Sequence, residues 1–438
     1  MDFRSIKNQN SRENLCKTYN IILRRYIMNK DELRAEREKR VDTAVALQEG
    51  DRVPFVPKMS GFYMYGYGIS FYDAMKDARN MEPGFRNFMR EYEPDAVNIG
   101  GIYSMDALEA LGTNYLRWPG PTHGLSLDSS FQHLDETYLQ DEEYEEFIQD
   151  PTHTTITKLL PRKHKNLKGL SRLYLREVYD AGFFADLSVF SDPEVQDALQ
   201  ALMEAGKASR ERAAQMEKVR SWIGEEGFST YCQGTFFIPF DAFADSIRGI
   251  IRTTMDIIEF PDELERAVNK ITEMNVERLV KIYKSRGAKR IFMPLHCGVD
   301  EFMSVANYEK YYWPCLRKCI MTVIEHGMTP VCFCEGNYNT RLDTLCDVPK
   351  GKVVYMFEKV DLKRVKDTVG KVACICGTLP NALLAFGTAD QVIEETKRQL
   401  DILAPQGGFI MDCSLMLDNA KHENMHAWKE ATLKYGQY

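Results

Sequence analysis

From residue 228 onward, short apolar runs alternate with helical stretches at a nearly regular interval, and that rhythm leaves few folds open. Ser229–Pro239 reads as a strand with its loop. Arg290–His296, Thr329–Cys334, Lys352–Phe357, Val372–Cys376 and Gly408–Cys413 read as further strands. Helical patterns fill the gaps at Phe240–Phe260, from Pro261 to Tyr283, and at Tyr308–His326, Asp361–Val369 and Thr388–Leu403, with Glu423–Tyr435 after the last strand. Strands this short, separated by helices, pair in parallel through βαβ crossovers. The spacing predicts a closed (β/α)8 TIM-type barrel. An open doubly wound sheet is the alternative, but no Gly-rich phosphate loop follows a strand, which weakens its dinucleotide-binding form.

The first half carries the same pattern less regularly. Val53–Pro57 reads as a first strand, entering a loop rich in glycine and aromatics, Met59–Gly68. Asp95–Gly100 reads as a second strand, and Pro193 opens a long helix with Ser191 as its cap, ending near Glu217. Residues 102–185 are expected to hold barrel strands interleaved with an insertion. Residues 1–27 read as a loosely attached extension, leaving 28–438 as one barrel domain. At 438 residues the chain exceeds the roughly 250 of a plain barrel, which leaves room for both additions.

Charge and composition narrow the function. A net charge of -8 argues against a nucleic-acid binder. No run reaches the roughly 18 apolar residues of a membrane span, and the N-terminal residues lack a secretory pattern. The eleven cysteines, odd in number and scattered, fit a reducing cytoplasm.

Barrel enzymes place their chemistry where strands end and βα loops begin. Here those positions hold His296 and Cys297, Cys334 and Glu335, Glu358, Cys376 and Cys413. Imidazole, carboxylate and sulfur converging on one rim make a zinc-like ligand set. The Gly298 that follows His296-Cys297 allows close backbone approach to a ligand. Most of the cysteines remain explicable as small buried hydrophobes.

Several of these segments together resemble the uroporphyrinogen decarboxylase superfamily. They are Ile291-Phe-Met-Pro-Leu-His-Cys-Gly298, Cys334-Glu-Gly-Asn337, Cys376-Gly-Thr-Leu-Pro380 with Gly387-Thr-Ala-Asp-Gln-Val392, and Cys413 ahead of His422-Glu-Asn424. Thr378 stands where the family signature usually has Asn. The resemblance implies a barrel and one of two chemistries. The decarboxylases carry an arginine-bearing motif near the N-terminus that grips substrate carboxylates, and Met59–Tyr67 contains no arginine. The other branch contains zinc-dependent methyltransferases that work with corrinoid proteins.

In the coenzyme M enzymes of that branch, His-x-Cys before a glycine and a later cysteine hold the metal. On Gly336 this aligns Phe333 with the histidine and Glu335 with the first cysteine, while Cys413 matches the later one. His296 is the most economical replacement for the lost histidine, with Cys334 and Cys376 in reserve. The resemblance thus implies zinc held by His296, Glu335 and Cys413, with His296 and Glu335 catalytic. The altered set is similar to that of enzymes that demethylate methyl ethers. The expected reaction moves a methyl group from a small substrate, an aryl methyl ether, to cobalt(I) of a corrinoid on a separate protein. Tyr63, Tyr65, Tyr67 and Tyr338 are the expected substrate contacts. A porphyrinogen-type decarboxylase and a non-catalytic member of a methyl-transfer assembly are the competing readings.

Overall fold

The computed structural model describes residues 29–100, 102–175 and 181–438. The extension expected at 1–27 lies outside them. Six parallel strands follow one another in chain order: Gly234–Thr235, Arg290–Leu295, Thr329–Asn337, Val354–Lys359, Cys374–Leu379 and Phe409–Cys413. Two extended segments close the ring. Phe55 bridges in parallel to Met411, and Val97 to Thr230. Between these two segments the Asp95 amide donates to the Phe55 carbonyl at 2.7 Å. Eight extended segments therefore hydrogen-bond in a closed circle, and the chain folds as a (β/α)8-type barrel.

Side-chain parity within the strands decides what faces the barrel axis. Val331, Phe333, Val354, Met356, Cys374, Cys376 and Ile410 form one inner cluster with Val56, Ala96 and Tyr231. Their immediate neighbours in sequence, including Cys332, Cys334, Tyr355, Phe357, Ile375, Met411 and Cys413, pack instead in the layer between strands and helices. The helix Lys30–Val45, opened by an Asn29–Glu32 capping box, plugs one end of the inner cluster with Val41, Ala44 and Val45. Its Arg40 also reaches the fully buried Asp95 at 2.5 Å, and Arg52 meets the same carboxylate at 2.6 Å. With the Phe55 amide at 2.7 Å, Asp95 ties the plug to the first two segments of the ring. Losing one member of such a buried ion cluster costs about 3–5 kcal/mol.

Between the second and third segments the chain leaves the barrel. No barrel strand lies among the described residues of 102–185, so the expected interleaving does not occur there. That region instead holds an antiparallel pair, Leu116–Arg117 with Gln132–His133, and a series of short helices. The long helix that follows, Pro193–Glu225, runs 33 residues and is capped by Asp192, whose side chain accepts from the Glu194 amide. Ser191 is not the cap because its hydroxyl donates to the Ser188 carbonyl at 2.6 Å. The insertion is pinned to the barrel by Arg248. Its guanidinium, with no side-chain exposure, meets Asp256 at 2.6 Å and the Leu139 carbonyl at 2.6 Å. Tyr144 donates to the same Asp256 at 2.5 Å.

Candidate active site

His296 and Glu335 meet at the C-terminal rim of adjacent strands. Phe292 and Phe333 stack inside the barrel at 6.0 Å, and His296 and Glu335 continue those two inward rows. Glu335 reaches His296 through a local break in the ladder. Cys334 pairs with Phe357 and Asn337 with Lys359, so two residues, Glu335 and Gly336, oppose one. This is a β-bulge, which re-aims a side chain where pairing ends. Gly336 has φ +106°, and a Cβ there would come within 2.7 Å of Val299 Cγ1. Only glycine allows that turn without strain.

The imidazole sits between carboxylates. Its Nδ1 is 2.7 Å from Asp245 Oδ2, and its Nε2 is 3.4 Å from Glu335 Oε2. Beneath it, Asp241 accepts from the His296 amide at 3.1 Å, the Cys297 amide at 3.0 Å and the Tyr312 hydroxyl at 2.7 Å. Burial disfavours a charged His296, yet the hydrogen bonds to Asp245 and Glu335 outweigh it and push its pKa up to about 11. Burial pushes the Asp241 carboxyl up to about 6, against the pull of the same imidazole. Asp245 Oδ1 is buried with no hydrogen-bond partner. Three carboxylates thus surround one imidazole and leave an excess of negative charge.

Asp241 and Asp245 were not among the residues expected from sequence. They lie four apart on the helical turn after the third ring segment, Pro239–Phe243 and Ala244–Arg248. Two acids at that spacing on one helix face, directly after a strand end, are the signal that marks them.

Cys413 lies apart from this pair. It follows Asp412 on the last strand, and parity turns Asp412 inward and Cys413 into the outer layer. Its Sγ contacts the carbonyls of Leu415 at 3.2 Å and Lys58 at 3.4 Å, and Asp412 Oδ1 at 3.4 Å. Burial, then the Asp412 charge, pushes the thiol well above its ordinary pKa, which keeps it protonated. The reserve residues divide the same way. Cys334 is in the outer layer, and Cys376 faces the axis with its Sγ 3.6 Å from Asp412 Oδ2. Among the described residues, no three His, Cys, Asp or Glu side chains come together closely enough to enclose a metal ion.

The four tyrosines also separate. Tyr63 is buried against Phe85, with ring centroids 4.2 Å apart. Tyr67 donates to Glu91 Oε2 at 2.7 Å, away from His296. Tyr338 is fully buried and donates to the Leu295 carbonyl at 3.1 Å, holding the strand end beneath His296. Tyr65 is half-buried, and its hydroxyl has no hydrogen-bond partner.

A family model for uroporphyrinogen decarboxylase (URO-D) matches residues 191–435, more than half of the chain. The chain belongs to that family. The match covers every strand end that contributes to the His296 site, whereas the insertion lies outside it. No curated protein matches the chain. Among solved structures, a methyltransferase from Methanosarcina mazei superposes with a TM-score of 0.59 at 16% identity. That match covers 90% of this chain and 98% of the other. Likeness at that identity is a likeness of fold, and it spans the first half of the chain as well as the second.

Proposed function

We propose that this URO-D family member is a methyltransferase that takes a methyl group from a small methylated substrate, an aryl methyl ether, and passes it to the cobalt(I) of a corrinoid carried by a partner protein. The observation that carries this reading is the acidic character of the rim. Asp241, Asp245 and Glu335 surround His296, while Arg248 and Arg341 are spent on other groups: Arg248 on Asp256, and Arg341 on the backbone carbonyls of Gly298, Val299 and Met303. A porphyrinogen bearing many carboxylates meets repulsion there instead of the cationic grip it needs. A neutral ether meets none. The fold likeness to a solved methyltransferase supports the same choice.

In the transfer, the O–CH3 bond breaks and a Co–CH3 bond forms with the electron pair of cobalt(I), which becomes cobalt(III). The oxygen leaves as an aryloxide and takes up one proton. Asp245 holds His296 through Nδ1, so Nε2 on the Glu335 side carries a proton only while no metal sits there; with a metal held at Nε2, the oxygen would take its proton from solvent. Asp241 fixes the backbone under the ring through two amides. Glu335, half-exposed on its bulge, is the group nearest to incoming substrate.

The donor types at this pair fit a zinc ion at two positions, and the orphaned Asp245 oxygen together with the excess negative charge favours a cation. His296 Nε2 and Glu335 would hold the metal, with Asp245 as the outer carboxylate that orients the histidine. When bound, zinc supplies Lewis-acid stabilisation of the leaving oxygen. Cys413 contributes no donor in this arrangement.

The test sets the two chemistries of the family side by side. Purified protein is given uroporphyrinogen in one assay, and 2-methoxyphenol with cob(I)alamin in another. Methylcobalamin formation without decarboxylation is the expected result. Decarboxylation without methyl transfer would sink the proposal.

A further inference from the structure

The insertion brings an aromatic wall to the His296 site. Tyr103 and Phe131 meet edge to face at 4.9 Å. His133 lies 5.6 Å from Phe131, 6.2 Å from Tyr103 and 6.2 Å from Tyr115, so three rings surround it. Phe237, on the chain that leaves the third ring segment, places its ring 6.1 Å from His296. These rings are not all packed away: Tyr103 is 37% exposed and Phe237 47% exposed.

The wall is fastened to the helical segment that carries the site acids. The Tyr138 and Leu139 amides donate to the Ile247 carbonyl at 3.1 and 2.9 Å. Lys163 Nζ donates to the Ser246 carbonyl at 2.8 Å, next to Asp245. The same Lys163 Nζ lies 4.6 Å over the ring of Tyr115, the neighbour of His133, which ties the wall to the residue beside Asp245. Exposed aromatic rings beside a charged site are costly to leave bare, and flat rings stack against them or meet them edge to face. In the Met59–Gly68 loop, Tyr63 is buried and Tyr67 is held by Glu91, so neither is free to do this.

We propose that Tyr103, Phe131, His133 and Phe237 form the binding wall for the ring of an aromatic substrate, so that the insertion, not the loop after the first strand, sets substrate specificity. This rests on the reading of His296 and Glu335 as the reacting end of the site, with the ring held beside it.

Isothermal titration of the full chain with 2-methoxyphenol and with its saturated counterpart, 2-methoxycyclohexanol, tests the wall without any methyl acceptor. The aromatic compound is expected to bind about ten-fold more tightly. Tyr103→Ala and Phe237→Ala should each remove most of that difference, weakening the aromatic compound more than the saturated one. Tyr103→Leu and Phe237→Leu keep apolar volume and should have the same effect if the ring face is what matters. Tyr67→Phe should change neither affinity. Equal affinity for the two compounds, or variants that keep the preference, overturns the proposal. Tighter binding of tetramethylammonium than of 2-methoxyphenol also overturns it, in favour of a site for quaternary ammonium. Ring-selective binding without methyl transfer would leave the wall standing and remove the proposed reaction; transfer without ring selectivity would do the reverse.

Discussion

His296 Nε2 lies 3.4 Å from Glu335 Oε2, across the ends of two neighbouring barrel strands. The contact exists because parity sends both residues toward the axis and a bulge at Gly336 swings the carboxylate across. The imidazole is held from behind by Asp245 at 2.7 Å. A histidine fixed on one nitrogen and open to a carboxylate on the other is equipped to deliver a proton or to accept a cation.

Metal content separates this pair from the cysteine first expected beside it. His296→Ala and Glu335→Ala are each expected to lower zinc content after anaerobic purification by about ten-fold or more. Cys413→Ala should keep the wild-type content, because its thiol faces the layer between strands and helices. Elemental analysis of the three variants decides the point. Loss of zinc in Cys413→Ala alone would place the metal elsewhere.

Gly336→Ala should disable the site while leaving the fold intact. The added Cβ meets Val299 at 2.7 Å, and the residue must hold φ at +106°. The bulge has to relax, and Glu335 moves with it. A displacement of about 1 Å at a reacting group can cost about 100-fold in rate, so the transfer rate is expected to fall by about that factor while far-ultraviolet circular dichroism is unchanged. An unaltered rate would show that the bulge does not position Glu335.

The insertion should respond to acid through Glu143. The hydrogen bond from Arg162, opposed by burial and aided by the Gln140 amide and Lys158, lowers its pKa to about 2. Arg162 Nη1 stands 2.6 Å from the carboxylate. A carboxyl depressed in the folded state stabilises fully above its unfolded pKa of about 4.3, and that stability is lost as pH falls toward the folded value. The melting-temperature gap between wild type and Glu143→Gln should therefore be full at pH 6 and close between about pH 4 and pH 2. A gap constant down to pH 2 would contradict the assignment.

Thr378 occupies a strained backbone position, with φ +81°. A β-branched residue there is an outlier, and asparagine tolerates the region far better. Thr378 also donates to Gln399 Oε1 at 2.7 Å, a bond that an asparagine amide can replace. Thr378→Asn is expected to raise stability by about 1 kcal/mol, measured by urea unfolding. A loss of stability would mean that the hydroxyl contact outweighs the strain.

Much of the barrel was legible because its second half obeys a simple rhythm of apolar runs and helices. The strands from Arg290 to Cys413 fall within a few residues of where periodicity puts them. The first half was harder, since residues 53–56 and 95–97 hold single bridges, not full ladders. The insertion has no rhythm to read, and its expected barrel strands are absent among the described residues. At the site, strand-end position pointed to His296 and Glu335, and the fold brings these two within 3.4 Å of each other. Cys413 packs in the outer layer instead, because a one-residue step in a strand reverses the face, and an apolar run buried on both sides gives no alternation to fix that register. Asp241 and Asp245 escaped notice because they lie one helical turn beyond the strand end, not on it. Tyr63 and Tyr67 follow the first strand as a rim loop should, but their partners Phe85 and Glu91 come from a separate helix that the local sequence does not reveal.

Methyl transfer at the His296–Glu335 pair can be followed directly. Purified protein is mixed under anaerobic conditions with 2-methoxyphenol carrying a labelled methyl group and with cob(I)alamin, and methylcobalamin is followed by absorbance and by label. Wild type should form labelled methylcobalamin and release catechol in equal amounts. Glu335→Ala and His296→Ala should slow this by about 100-fold or more with melting temperatures close to wild type. Transfer at the wild-type rate in both variants, or catechol release without label on cobalt, would contradict it.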